Sequence, residues 1–330
     1  MSLLVSINCI TYNHEKYIAA CMDGFLKQKT SFDFEIIIGE DCSTDQTRKM
    51  IEEYMKQFPG KIKLITSDSN VGWRENEKRV FHASKGKYIA ICEGDDYWTD
   101  PYKLQKQVDY MESHPECSLC FHAAIIVNEN GKRSGEVSRP YTHSKISPTV
   151  DMITGGGGFC PTASLLFKKE SMENLPGFYQ DAPVGDYPLQ MILASQGYAY
   201  YMDEEMSAYR VGVSGSWTNQ LFSGENAAEK IANVKKGEIL LLEQFDQYTN
   251  KKYTFEIKRT IRMREFERLV LQNKRKQALD NEVFSEELSM VEKAKVYIQL
   301  YFPAFYPKVF MFIRKYQRIA KLYYRLRSSR

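Results

Sequence analysis

No run of about 18 uncharged apolar residues occurs, so no membrane span is expected. No basic stretch precedes Leu3-Leu4-Val5-Ser6-Ile7, so no signal peptide is read there. Asn-x-Ser/Thr sequons are missing as well. No Gly-x-Gly-x-x-Gly follows the first apolar run and no Gly-x-x-x-x-Gly-Lys-Ser/Thr is present, which argues against dinucleotide dehydrogenases and P-loop NTPases. The Gly-x-Ser-x-Gly nucleophile elbow is also absent. Histidine is scarce, at five, and forms no ligand pattern. Cys117-x-x-Cys120 has no second pair at zinc spacing, so it reads as core. The seven cysteines are odd in number and sit in apolar runs, as reduced thiols of a cytosolic protein do. No internal repeat is visible.

What is present is a chain of 330 residues, 43% hydrophobic and 26% charged, with a net charge of +3. That size provides a real core for one large domain or two ordinary ones. Aromatics reach 13%, with 22 Tyr and 18 Phe, enough for a large core, a stacking surface or a membrane interface. The charge is unevenly placed. Residues 303–330 hold eight basic side chains and no acid, whereas the other 302 residues hold 37 basic and 42 acidic ones. A basic excess confined to the tail gives no reason to expect a nucleic-acid partner. The tail interleaves Phe305, Phe310, Phe312 and Tyr316 with its cations. It reads as an interfacial helix on anionic lipid, or equally as a helix packed on a partner subunit or on the rest of the chain.

The first 127 residues alternate between strand and helix signals. Strands are expected at Leu3 to Ile10, Phe34 to Ile38, Ile62 to Thr66, Tyr88 to Cys92 and Leu119 to Val127. Helices are expected at Lys16 to Lys27, Asp45 to Phe58, Glu75 to Ser84 and Lys103 to Ser113. This implies an α/β fold, a mostly parallel sheet with helices on both faces. The middle is less regular, and from Gly224 onward the chain is helix-rich.

In an open α/β sheet, ligands bind beyond the carboxyl ends of the strands. The first strand ends in Thr11-Tyr12-Asn13, the second in Glu40-Asp41, the fourth in Glu93-Gly94-Asp95-Asp96. Three carboxylates within four residues repel one another unless a cation sits among them. Hard oxygen ligands suit Mg²⁺ or Mn²⁺, with substrate phosphates completing the shell. The plainer reading is an acidic turn or helix cap. Asp41 likewise either caps a turn or accepts an N–H from a bound base.

In order and spacing, Val5 to Asn13, Ile36 to Thr47, Asn70-Val71-Gly72, Gly86 to Ile89 and Glu93 to Trp98 resemble glycosyltransferase family 2, a nucleotide-sugar-dependent, mostly inverting class with the GT-A fold. A looser likeness continues through Gly185 to Leu189 and Tyr209-Arg210. The resemblance implies a glycosyltransferase domain over 1–223, with a nucleotide half to about 127 and an acceptor half from about 128, then a helical extension over 224–330. It implies nucleotide contacts at Thr11, Tyr12, Asn13, Asp41, Asn76, Arg79, Glu93 and Gly94, a Mn²⁺ or Mg²⁺ ion on Asp95 and Asp96, and Asp186 as the catalytic base. It further implies a nucleotide-diphosphate sugar donor, UDP-linked in type. The acceptor would be a saccharide or lipid-linked saccharide in cell-surface polysaccharide or glycolipid synthesis. The place of work would be the cytoplasm, or the cytoplasmic membrane face through residues 303–330. Two departures stand out. Glu40 and Glu93 occupy positions where Asp is commoner, and Val211-Gly212-Val213 stands where family members often carry a His. A nucleotidyltransferase would need a Gly-rich basic loop after the first strand, and Thr11-Tyr12-Asn13-His14-Glu15 is not one. An inactive binding module would not need the retained Glu93, Asp95, Asp96 and Asp186.

Overall fold

The computed structural model describes residues 3–303. The chain divides into two compact units. One holds the described residues up to Ser223 together with Leu240–Ile257; the other holds Gly224–Ile239 and the residues from Lys258 onward.

In the first unit the strands are β1 (Leu3–Thr11), β2 (Asp33–Glu40), β3 (Ile62–Ile65), β4 (Tyr88–Ile91), β5 (Tyr97–Trp98), β6 (Cys117–Val127), β7 (Arg133–Ser138), β8 (Lys145–Ser147), β9 (Leu166–Lys168) and β10 (Tyr198–Arg210). Its helices are α1 (Ile18–Leu26), α2 (Thr47–Gln57), α3 (Trp73–Ala83), α4 (Lys103–Ser113), α5 (Thr149–Gly155), α6 (Phe178–Asp181), α7 (Asp186–Ser195) and α8 (Trp217–Phe222). Period-2 alternation puts Val5, Ile7 and Cys9 of β1 into the core. On α1, Ile18, Cys21, Met22 and Phe25 fall at helical spacing and pack against that core.

Strands β3, β2, β1 and β4 lie side by side and parallel. Their carboxyl ends therefore share one edge, which brings Thr11, Asp41 and Glu93 together from distant parts of the chain. The sheet is not parallel throughout. β9 inserts antiparallel between β4 and β6, and β5, β7 and β8 pair antiparallel at their own edges. A three-residue strand carries too little pattern to announce its direction. β6 and β10 return to parallel pairing. Cys117 and Cys120 are buried core thiols on β6. Trp98 is also core: its indole N–H donates to the Ala163 carbonyl at 2.9 Å.

Two long helices, α9 (Ala227–Tyr248) and α10 (Thr254–Leu271), contribute to both units. The second unit also contains α11 (Arg275–Leu279) and α12 (Met290–Tyr301). Phe266, Val270, Ala278, Val283 and Leu300 form its core. Glu238 receives Arg264 at 2.7 Å and Lys235 at 3.1 Å, a half-sheltered ion-pair network. A capping box between Ser289 and Glu292 starts α12. No helix among the described residues is long and apolar enough to cross a membrane. The basic tail beyond Pro303 lies outside the described residues.

Candidate active site

A cleft of about 510 Å³ opens at the shared edge of the parallel strands. Thr11, Tyr12, Asp41, Asn76, Glu93, Asp95 and Asp186 all line it. The chain segments that carry them are up to 175 residues apart, and the parallel edge is what gathers them.

The rim built by the loops after β1 and β2 is tied by its own hydrogen bonds. Asn13, at φ 56°, turns the chain so that its N–H meets Ser43 Oγ at 3.0 Å and its Oδ1 accepts the Thr44 N–H at 2.8 Å. The His14 N–H donates to Thr47 Oγ1 at 2.8 Å and the Glu15 N–H to Asp45 Oδ2 at 3.0 Å. Glu15 Oε2 returns the contact by accepting the Gln46 N–H at 3.0 Å. Although burial opposes it, the Thr47 hydroxyl, the Thr47 N–H and the Glu15 N–H hold the Asp45 carboxyl below its usual range. Asn13 thus joins two loops rather than facing the cleft. Glu40 serves the same turn, with Oε1 accepting the Ser43 N–H at 2.6 Å.

Asp41 is buried, and both of its oxygens are engaged. Oδ1 accepts the Val71 N–H at 2.8 Å and Oδ2 the Gly72 N–H at 2.9 Å, which fixes the turn that starts α3. Asn76 donates to the Gly39 carbonyl at 2.8 Å. Arg79 turns away from the cleft, to the Thr66 carbonyl and Asn76 Oδ1. Gly94 sits under the cleft wall, where any Cβ would lie 2.6 Å from Thr11 Oγ1.

The acidic turn splits its neighbours. Asp95 lines the cleft. Asp96 is buried beneath it, and its Oδ1 accepts the Arg210 backbone N–H at 2.7 Å. Of the two carboxylates expected at a metal, Asp95 is on the cleft lining and Asp96 points inward to the donor that β10 supplies. Arg210 Nε donates to the Asp95 carbonyl at 2.8 Å, and its guanidinium lies over the rings of Tyr17 and Tyr97. Burial in the cleft, then repulsion from Asp95, Asp186 and Glu77, pushes Glu93 up to about 8.

Asp186 opens α7, and its Oδ1 accepts the Tyr187 N–H at 2.7 Å. The glycine run, Gly155 to Gly158, passes close to this carboxylate at Gly157. A Cβ on Gly157 would lie 2.8 Å from Asp186 Oδ1, and Gln190 Nε2 holds the Gly156 carbonyl at 2.8 Å. A side chain at Gly157 would make this carboxylate shift.

Glu77, Trp73 and His14 are among the lining residues that the sequence pattern did not single out. Trp73, Asn76, Glu77 and Val80 fall at i, i+3, i+4 and i+7 of α3, a spacing that would have flagged Glu77 as facing inward. Trp217 is 46% exposed on the cleft lining, so its ring is available for stacking where that of Trp98 is not.

Among the described residues no three His, Cys, Asp or Glu side chains form a ready-made metal cage. The donor set nevertheless fits Mg²⁺ or Mn²⁺. Five carboxylates line the cleft against one arginine, and such ions usually take one or two protein carboxylates plus substrate phosphates.

The sequence profile of "Glycosyl transferase family 2" matches residues 6–175, just over half of the chain. The chain belongs to glycosyltransferase family 2. An uncharacterised protein of Mycobacterium tuberculosis is 37% identical over 217 residues, which cover 64% of this chain and 60% of that protein. The chain thus spans less than two thirds of that relative's length. Two solved structures share the GT-A-like fold of this family member. One is S. aureus TarS 1–349 in complex with UDP, with a TM-score of 0.54 at 16% identity, covering 91% of this chain and 81% of that one. The other is the mannosyltransferase PcManGT of Pyrobaculum calidifontis in complex with GDP-Man and Mn²⁺, with a TM-score of 0.52 at 13% identity, covering 92% and 82%.

Proposed function

We propose that the chain is an inverting glycosyltransferase that moves a sugar from a nucleoside-diphosphate donor, UDP-linked in type, to an acceptor hydroxyl of a saccharide or lipid-linked saccharide. The observation that carries this reading is the meeting of Asp186 with Asp41, Glu93 and Asp95 in one cleft at the carboxyl edge of a parallel sheet. Family membership supports it, as do the nucleotides and the nucleotide sugar named for TarS and PcManGT.

On this reading Thr11, Tyr12 and Asp41 hold the base end of the donor. Glu93 approaches a hydroxyl of the ribose or sugar. Trp217 and Trp73 offer ring faces to the sugar region. A Mn²⁺ or Mg²⁺ ion held by Asp95 would neutralise charge on the departing diphosphate. Asp186 takes the proton from the acceptor hydroxyl as that oxygen bonds to the anomeric carbon, and the sugar–phosphate bond breaks on the opposite face. No enzyme-bound glycosyl group is required. Residues 128–223 would shape the acceptor side, and the helices from 224 onward would form an extension to this domain.

The test is a screen of UDP- and GDP-sugars for release of nucleoside diphosphate, with Mn²⁺ and Mg²⁺ in parallel. Release from at least one donor, lost in Asp186→Asn, supports the reading. Release from none with a panel of saccharide acceptors, or equal release by the variant, contradicts it.

A further inference from the structure

We infer that Glu77 is a positioning residue: with Arg74 and Tyr179 it clamps the segment before α7 to α3, and so aims Asp186 into the cleft. This rests on the reading of Asp186 as the base. Three neighbouring side chains of one α3 face act on one short stretch of chain. The Tyr179 hydroxyl donates to Glu77 Oε2 at 3.2 Å. Arg74 Nη1 donates to the Tyr179 carbonyl at 3.2 Å, and Nη2 donates to the Ala182 carbonyl. The Trp73 ring lies so close to Gly185 that a Cβ there would sit 2.8 Å from it. Gly185 is the residue immediately before Asp186.

The clamp also has a fixed anchor. The turn that starts α3 hangs on Asp41 through the Val71 and Gly72 N–H groups. A continuous line of contacts therefore runs from Asp41, at the expected base end of the donor, through α3 to the segment that presents Asp186. Nothing else in the proposed mechanism uses Glu77, although it is half-buried and lines the cleft. A carboxylate in such a place is costly unless it has a task. The charged and titratable groups facing it are Arg74 on its own helix, Tyr179, and Asp186 at the start of α7, with Glu93 across the cleft. Burial pushes Glu77 up to about 7. The Tyr179 hydroxyl and Arg74 oppose that shift, and Asp186 adds to it.

The experiment uses the full chain, UDP binding by calorimetry, and turnover of whichever sugar nucleotide the screen identifies. Glu77→Ala and Tyr179→Phe should each lower kcat roughly 10- to 100-fold, the range a small misplacement of a reacting group costs. The KM for the donor and the Kd for UDP should stay within about twofold. The double variant should be no worse than the poorer single one, because both remove one contact. Glu77→Gln should recover most of the rate, since its amide oxygen still accepts the Tyr179 O–H. Parent kcat in Glu77→Ala, losses that multiply in the double variant, or a loss carried in KM or Kd would overturn the inference. If Asp186→Asn retains turnover, the underlying reading fails instead, whatever Glu77 does. Tyr179→Phe keeps the test open should Glu77→Ala not fold.

Discussion

The two rims of the cleft are built on opposite principles. The rim formed by the loops after β1 and β2 is tied by its own hydrogen bonds: Asn13, Glu15, Asp45 and Thr47 exchange them across residues about 30 apart in sequence, and Oε2 of the buried Glu40 is left without a partner among the described residues. The rim formed by Glu93, Asp95, Glu77 and Asp186 instead gathers four carboxylates on one cleft lining. Burial, with Asp186 adding to it, pushes the Glu77 and Glu93 carboxyls up, and Arg210, which lines the cleft, is drawn off to backbone carbonyls behind the acidic turn. A rim of the first kind can preorganise a binding surface before any ligand arrives. A rim of the second kind holds like charges together, and on the proposed reading a cation and a reacting hydroxyl would relieve that repulsion.

The largest effect expected from breaking this contrast is at Asp186. Asp186→Asn should cut transfer by about 10²- to 10⁴-fold while UDP affinity stays near that of the parent, read by turnover and calorimetry on the same preparation. Equal loss of binding and turnover would place Asp186 in the class of the first rim instead.

The next contrast is between neighbours in one turn. Asp96→Ala strips the buried Arg210 N–H of its acceptor and should cost about 1–3 kcal/mol in thermal or urea unfolding. Asp96→Asn keeps an acceptor oxygen and should unfold near the parent. Asp95→Ala removes a repulsive charge from Glu93 and Asp96, so its stability should be unchanged or higher while its turnover collapses. Equal destabilisation by the Asp95 and Asp96 changes would erase the distinction.

The smallest effect belongs to the loop rim. Asp45→Ala should cost about 1 kcal/mol at neutral pH and change kcat little. The folded-state carboxyl of Asp45 is depressed, so its contribution is present above the ordinary carboxylate pKa and is lost as pH falls through the folded value. The gap between parent and variant should therefore close on acidification. A gap that is the same in strong acid as at pH 7 would contradict the bonding described for Asp45.

These contrasts also show what the sequence made legible. Asp41, Glu93, Asp95 and Asp186 were visible because each sits where a strand or loop hands over to the next element, and because the family resemblance orders them. The separate fates of Asp95 and Asp96 were not visible. They depend on an N–H offered by Arg210, 114 residues away, in a strand pairing that no local pattern encodes. Glu77 stayed hidden for a related reason: its partner Tyr179 lies 102 residues further on, in an irregular stretch. The fold shows the same limit. β1 to β4 are strand signals that alternate with helix signals and so announce a parallel sheet, whereas β9 is three residues whose direction is set by its neighbours β4 and β6. Residues of the loop rim were legible in type, as turn formers, but their roles were not. Asn13 was expected at the nucleotide, and its part in joining the two loops was not visible.

On the proposed reading, the acidic rim is incomplete until a divalent cation arrives with the diphosphate. Calorimetry of UDP binding with and without Mn²⁺, in the parent and in Asp95→Asn, tests it most directly. Mn²⁺ should tighten UDP binding at least about tenfold in the parent, or roughly 1.4 kcal/mol, and have little effect in the variant. Binding by the parent that ignores Mn²⁺, or a full Mn²⁺ effect retained in Asp95→Asn, would contradict it.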